Sequence, residues 1–99
     1  MFEITPVQRR YLRGLAHSLN PVVMIGQHGL TDAVIRETAQ ALDRHELIKI
    51  RVLGDDREAR EQWFKEICEQ LGAAQVQHIG KLLVLYRPAD EPKIVLPRG

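Results

Sequence analysis

The stretch that decides the fold is VVMIGQHGLTDAVI, residues 22–35. Residues 22–25 form a continuous apolar run, which is typical of a strand buried on both faces. The loop Gly26-Gln27-His28-Gly29 follows directly, and Thr31 with Asp32 predicts the start of a helix. A GxxG loop between a strand and a helix is either a turn that needs glycine for its geometry or a place where a ligand approaches the backbone.

The N-terminal side of this stretch predicts a helix. In Thr5-Pro6-Val7-Gln8, the threonine can act as the cap, the proline suits the first turn and the glutamine completes a capping box. The apolar residues from Val7 to Leu19 recur at helical spacing and form one stripe, and the helix is predicted to run to about His17. Three arginines fall outside the apolar stripe, namely Arg9, Arg10 and Arg13.

The C-terminal side alternates strands and helices. Residues 47–53 alternate apolar and basic side chains, a third helix follows Gly54-Asp55-Asp56 and closes at Gly72, and residues 74–79 and 82–87 read as a hairpin. Residues 88–99 are proline-rich and predict an extended tail. The order αβαβαββ indicates an α/β fold, a single compact domain over residues 1–99 with helices packed on one mixed four-stranded sheet.

Composition and charge restrict the class of protein. The chain has 99 residues, one cysteine and a net charge of +1, but residues 4–31 contain three arginines and no acid. A local basic region suggests one anionic contact rather than general binding of polyanions. The absence of a long apolar run favours a cytoplasmic protein without a membrane partner, although an arginine-rich start is also compatible with a transit peptide.

Signatures of catalysis and metal binding are missing from the sequence. Neither GxxxxGK[ST] nor HExxH occurs, and the four histidines have no ligand-like spacing. The single cysteine, Cys68, falls in an apolar stripe and predicts a core residue. The sequence therefore predicts a protein that is not an enzyme and has no metal, no cofactor and no small-molecule substrate.

The GxxG loop is the candidate binding site. Because a helix begins after it, free N–H groups and the positive end of the helix dipole point at the loop and favour an anion there. KH domains use a GXXG loop to clamp a nucleic-acid backbone. We expect Gly26→Asp with Gly29→Asp to leave the protein folded and to weaken RNA binding. Further candidate contacts are the arginines of the first helix and Lys49, Arg51, Lys81 and Arg87.

Longer segments resemble a known family. LRGLAHSLNPVVMIGQHGLTDAVI, ALDRHELIKIRV, QHIGKLLVLYRP and KIVLP are similar to the CRM domain (chloroplast RNA splicing and ribosome maturation) in its stand-alone bacterial, YhbY-type form. The resemblance implies a fold like the C-terminal domain of translation initiation factor three and an RNA site that includes Gly26, Gln27, His28 and Gly29. It also implies a ribosome assembly factor that binds ribosomal RNA in large-subunit precursors.

Two other functions remain open at this point. One is a protein-interaction module that uses the apolar tail segment Ile94-Val95-Leu96 or an exposed sheet edge. The other is a small protein or enzyme that binds a mononucleotide phosphate at the loop.

Overall fold

A computed structural model describes residues 1–99 and contains the predicted order of elements. The single sheet has the strand order β1-β2-β4-β3, in which β1 is parallel to β2 and the remaining pairs are antiparallel. No helix is long and apolar enough to cross a membrane. The elements are α1 (Pro6–Ala16), β1 (Pro21–Ile25), α2 (Asp32–His45), β2 (Leu47–Val52), α3 (Arg57–Leu71), β3 (Ala74–Ile79) and β4 (Leu82–Tyr86).

The predicted helix caps are confirmed. Thr5 and Gln8 form a capping box at the start of α1, with both reciprocal hydrogen bonds present. Thr31 caps α2 by accepting a hydrogen bond from the Val34 N–H, and Asp56 caps α3. Because caps satisfy N–H groups that lack a partner within the helix, these short polar residues fix where each helix begins.

The sheet has two chemically different ends. We call one the loop end: the GxxG loop (residues 26–29), the β2–α3 connection (53–56) and the β3–β4 turn (80–81) all lie there, because Ile25 pairs with Val52 and Ile79 pairs with Leu82. We call the opposite one the tail end, where Glu46 precedes β2 and Arg87 follows β4. The two ends hold different sets of charged residues.

One face of the sheet carries the larger core. α2 and α3 cover it, and Ile48, Ile50 and Val52 of β2 are at most 1% exposed, as their alternation with Lys49 and Arg51 predicted. Cys68 lies in the same core as predicted, and burial raises its pKa to about 12. A thiol in this state is not a nucleophile at neutral pH.

The other face is only partly covered. α1 crosses it over the tail-end half, where Leu12 and Ala16 pack against residues of β2, β3 and β4. The prediction that β1 is buried on both faces is wrong, because β1 is an edge strand whose α1 face stays largely open, and Val22 and Met24 are 46% and 54% exposed. An uninterrupted apolar run does not distinguish a central strand from an exposed edge strand.

The tail, residues 88–99, contains no helix or strand and docks on α1. Ile94 and Leu96 pack against the smaller core, and the Gln8 side-chain amide donates to the Pro97 carbonyl at 3.1 Å. The Glu46 carboxylate accepts hydrogen bonds from three tail N–H groups at 2.9 to 3.3 Å. Ile94 and Leu96 are therefore part of the fold, and only Val95, at 80% exposed, is free for another partner.

Candidate nucleic-acid interface

The GxxG loop is a tight turn whose second glycine is required by the backbone. The Gly29 N–H donates to the Gly26 carbonyl at 3.0 Å, and the Thr31 N–H donates to the Gly29 carbonyl at 3.1 Å. Gly29 has φ +71°, a value that L residues rarely adopt. The turn delivers the chain directly into α2.

The indole ring of Trp63 in α3 packs against the inner side of the loop at Gly29. Gly29 is buried, and a Cβ atom built on it would lie 2.9 Å from Cζ2 of the indole ring. Gly29→Asp would therefore strain the backbone and collide with Trp63, so the expectation that the double aspartate variant stays folded is corrected. Periodicity predicted that Trp63 faces inward, but nothing in the sequence indicated that it contacts the loop.

The outer side of the same loop is open. A Cβ atom on Gly26 would meet nothing within 4 Å, and both Gln27 and His28 are exposed. Five backbone N–H groups between residues 27 and 33 have no acceptor within the protein. They belong to Gln27, His28, Leu30, Asp32 and Ala33. Free amides at the positive end of a 14-residue helix are chemically suited to an anion such as a phosphate.

The three arginines of α1 differ in their surroundings. Successive helical residues are about 100° apart. Gln8 contacts the tail, which runs along the tail-end flank of α1, and Arg13 therefore projects from the opposite flank. Arg9 lies near that flank but donates its Nε–H to the Gln75 carbonyl at 3.2 Å, whereas Arg10 points to solvent. Arg13 has no protein partner and is the best placed of the three.

Three further candidate cations, two in β2 and one in the β3–β4 turn, lie on the same side as α1 or at the loop end. Arg51 is exposed and makes no hydrogen bond or ion pair within the protein. Lys49 donates to the Leu19 carbonyl at 2.9 Å, and Lys81 pairs with Asp55 at 2.9 Å. The hydrogen bond and charge of Lys81 lower the pKa of the Asp55 carboxyl, which keeps this neutralising partner ionised. Arg51 is thus the least committed cation of the sheet.

Arg87 lies at the tail end and is committed to the fold. Its guanidinium donates to the carbonyls of Leu71 and Ala39 and to the Asp43 carboxylate, at 2.9, 3.2 and 2.6 Å. With three protein acceptors and a position at the far end of the sheet, it cannot join a contact centred on residues 26–29. The interpretation of Arg87 as an RNA contact is therefore not carried forward.

No cluster of three or more histidine, cysteine, aspartate or glutamate side chains lies close enough to hold a metal ion. The loop, the exposed arginines and the free amides instead form a surface suited to a polyanion. α1 and all four strands are without any aspartate or glutamate, so the acidic side chains lie on the other helices and the connections.

Comparison with known proteins agrees with this geometry. A relative from Haemophilus influenzae, named RNA-binding protein, is 52% identical over 99% of both chains. A Bacillus subtilis relative, named as a probable RNA-binding protein, is 37% identical over 95% of this chain and 99% of its own. The solution structure of a hypothetical protein from Staphylococcus aureus superposes with a TM-score of 0.84 at 33% identity, covering 96% of this chain and all of that one.

The same assignment follows from a family model. The model for the CRS1 / YhbY (CRM) domain matches residues 4–87, which include α1, the GxxG loop and all four strands. The residues that carried the resemblance in the sequence lie mostly within this match. The chain therefore belongs to the CRS1 / YhbY (CRM) domain family.

Proposed function

We propose that this protein binds RNA through the GxxG loop and the adjoining surface of α1 and the sheet. The observation that carries the proposal is the open side of the loop, where the amides of Gln27 and His28 and those of the first turn of α2 have no protein acceptor. Phosphates are bound by such N–H groups without a fixed cation. The names of the relatives and the exposed Arg13 and Arg51 support RNA as the polyanion.

The RNA that we propose is ribosomal, in precursors of the large ribosomal subunit. The support is the resemblance to stand-alone bacterial CRM domains, which covers nearly the whole chain. The protein would then act as a non-catalytic assembly factor in the cytoplasm. The only thiol, that of Cys68, is buried and has a raised pKa, so it is not available as a nucleophile at neutral pH.

The test uses a single aspartate at the open glycine. Gly26→Asp adds a negative charge where the side chain has space, whereas Gly29 is left in place because it supports the turn. The matched control is Gln40→Glu, which makes the same change in net charge on an exposed position of α2 away from the loop. Both variants should keep the far-ultraviolet circular dichroism spectrum of the wild type.

The readout is sedimentation of cell extracts on a sucrose gradient. We expect wild type and Gln40→Glu to migrate with large-subunit precursors and Gly26→Asp to stay at the top. If wild type stays at the top, the ribosomal assignment is wrong. If Gly26→Asp still migrates with the particles, the loop is not the site.

The salt dependence of binding to purified RNA gives a second check. Few free cations face this surface, so the slope of log K against log salt should be shallow. A slope near −10 would require many more phosphate contacts than the loop region can supply.

A further inference from the structure

Four side chains form a row across the open half of the α1 face, at the loop end. Met24 of β1 pairs with Arg51 of β2, Arg51 with Leu82 of β4, and Leu82 with Ile79 of β3. Paired residues on neighbouring strands point to the same face with their Cβ atoms about 5 Å apart. We call this set, Met24, Arg51, Leu82 and Ile79, the open row.

Three of the four side chains of the open row are apolar, whereas a solvated sheet face is normally polar. Met24 and Ile79 are 54% and 53% exposed, and α1 does not cover them because it crosses the sheet nearer the tail end. Exposed apolar side chains that line up on either side of a free arginine, on a face that no helix covers, are typical of an interaction surface. Because neighbouring strands lie about 4.8 Å apart, the row spans about 14 Å. Stacked bases are about 3.4 Å apart, so the row is long enough to contact more than one base.

The charge around the row favours an anionic partner, such as a nucleic acid, over a basic or neutral one. Arg51 stands within the row without an ion pair, and Arg13 of α1, which packs on the same face of the sheet, is also exposed and unpaired. None of the strands supplies a carboxylate. The row also begins two residues before Gly26, so it is continuous with the open side of the GxxG loop.

We propose that the open row binds the bases of an unpaired RNA segment whose backbone is held at the GxxG loop. Met24, Leu82 and Ile79 supply apolar contact to the faces of the bases, and the planar Arg51 guanidinium stacks on a base or hydrogen-bonds its edge. This inference rests on the proposed RNA-binding function and adds which form of RNA is selected.

The reason to choose unpaired RNA is the chemistry of the duplex. An A-form helix presents phosphates and 2′-hydroxyl groups, and its bases are paired inside. Apolar side chains make no favourable contact with phosphates, so the apolar residues of the row would not contribute to binding a duplex. Unstacked bases offer a π face to any apolar or guanidinium platform regardless of sequence.

The experiment compares two RNAs and two variants of the full chain. The probes are a fluorescent single strand of roughly 12 nucleotides, within the range of single-strand site sizes, and the same strand annealed to its complement. The test variant is Met24→Ser with Ile79→Ser, two changes at positions more than half exposed. The control is Val95→Ser, at an 80% exposed apolar residue of the tail.

We expect the wild type to prefer the single strand and the double serine variant to lose about tenfold in affinity for it. Binding to the duplex should be unchanged in the variant, and Val95→Ser should match the wild type with both probes. Equal affinity of the wild type for both probes would contradict the proposed role of the open row. An unchanged single-strand affinity in the double variant would contradict it as well. Neither result would contradict the proposal that the protein binds RNA.

Two further outcomes separate this inference from the proposed function. If the wild type binds neither probe, RNA binding itself is contradicted, and the open row with it. If the double serine variant binds the single strand normally but no longer migrates with ribosomal particles, the row contacts a protein instead.

Discussion

The loop end and the tail end of the sheet use charged and polar groups in opposite ways. At the tail end the two charged groups that are held within the fold are paired: the Arg87 guanidinium has three acceptors, and the Glu46 carboxylate has three donors. At the loop end Arg51 and the amides of Gln27 and His28 have no protein partner. Both ends are charged, so charge alone does not identify the site.

The difference shows how to separate structural charges from binding charges in a small domain. A buried charge must be paired, because an unpaired one is too costly to bury. An exposed charge without a partner adds little to stability and is free to bind a ligand. Changes at the tail end should therefore lower the free energy of unfolding, and changes at the loop end should alter RNA affinity.

Glu46→Ala should have the largest effect. Glu46 is 3% exposed, and removing its carboxylate would leave the N–H groups of Ala89, Lys93 and Ile94 without an acceptor. We expect the free energy of unfolding to fall by about 3 kcal/mol, measured by urea denaturation. Affinity for RNA, measured where the variant is folded, should stay within twofold of wild type.

Two controls sharpen this prediction. Glu91→Ala removes an exposed tail carboxylate and should change stability by less than about 0.5 kcal/mol. Glu46→Gly also removes the carboxylate but relieves a φ of +63°, so it should be about 1 kcal/mol more stable than Glu46→Ala. A Glu46→Ala protein with wild-type stability would show that the tail does not depend on this carboxylate.

Gly29→Ala should have the next largest effect. It is an exception, because Gly29 lies at the loop end and its substitution should still lower stability. The positive φ and the contact of Cβ with Trp63 predict a loss of about 2 kcal/mol in the free energy of unfolding. Gly26→Ala is the matched control and should be nearly neutral in stability, since its Cβ has free space. Equal losses from the two substitutions would contradict the roles that the structure gives to the two glycines.

The sequence predicted most of the fold because each local signal was strong. Thr5, Thr31 and Asp56 mark helix starts, and the alternation from Leu47 to Val52 identifies a strand with one buried face. The position of β1 at an edge could not be predicted, because strand order depends on packing between distant segments. The docking of the tail on α1 depends in the same way on long-range contacts.

The candidate site was predictable in part. The GxxG spacing pointed to residues 26–29, and the acid-free stretch of residues 4–31 pointed to a basic surface. The partners of each cation could not be read from the sequence, so Arg51 and Arg87 looked equivalent although one is free and the other is held by three acceptors. The open row was missed because its residues come from four strands, and only the register brings them together.

Arg51→Gln should lower RNA affinity by about tenfold, or about 1.4 kcal/mol, without changing stability. The matched control is Arg44→Gln, which removes the same charge from an exposed position in the last turn of α2, at the tail end. Fluorescence anisotropy with single-stranded RNA measures both. Equal losses in the two variants would mean that the net charge of the protein, and not the position of Arg51, determines binding.

Asp55→Asn should have the smallest effect and the opposite sign. Asp55 is 93% exposed and neutralises Lys81 at the loop end through a 2.9 Å ion pair. Its removal releases a cation beside the loop and deletes a negative charge, so RNA affinity should rise about two- to threefold at low salt. Asp90→Asn deletes an exposed acid from the tail and should leave affinity unchanged. Because exposed pairs are screened, the gain should shrink as salt rises. An equal gain from Asp90→Asn would assign the effect to net charge, and no gain from Asp55→Asn would place Lys81 outside the RNA surface.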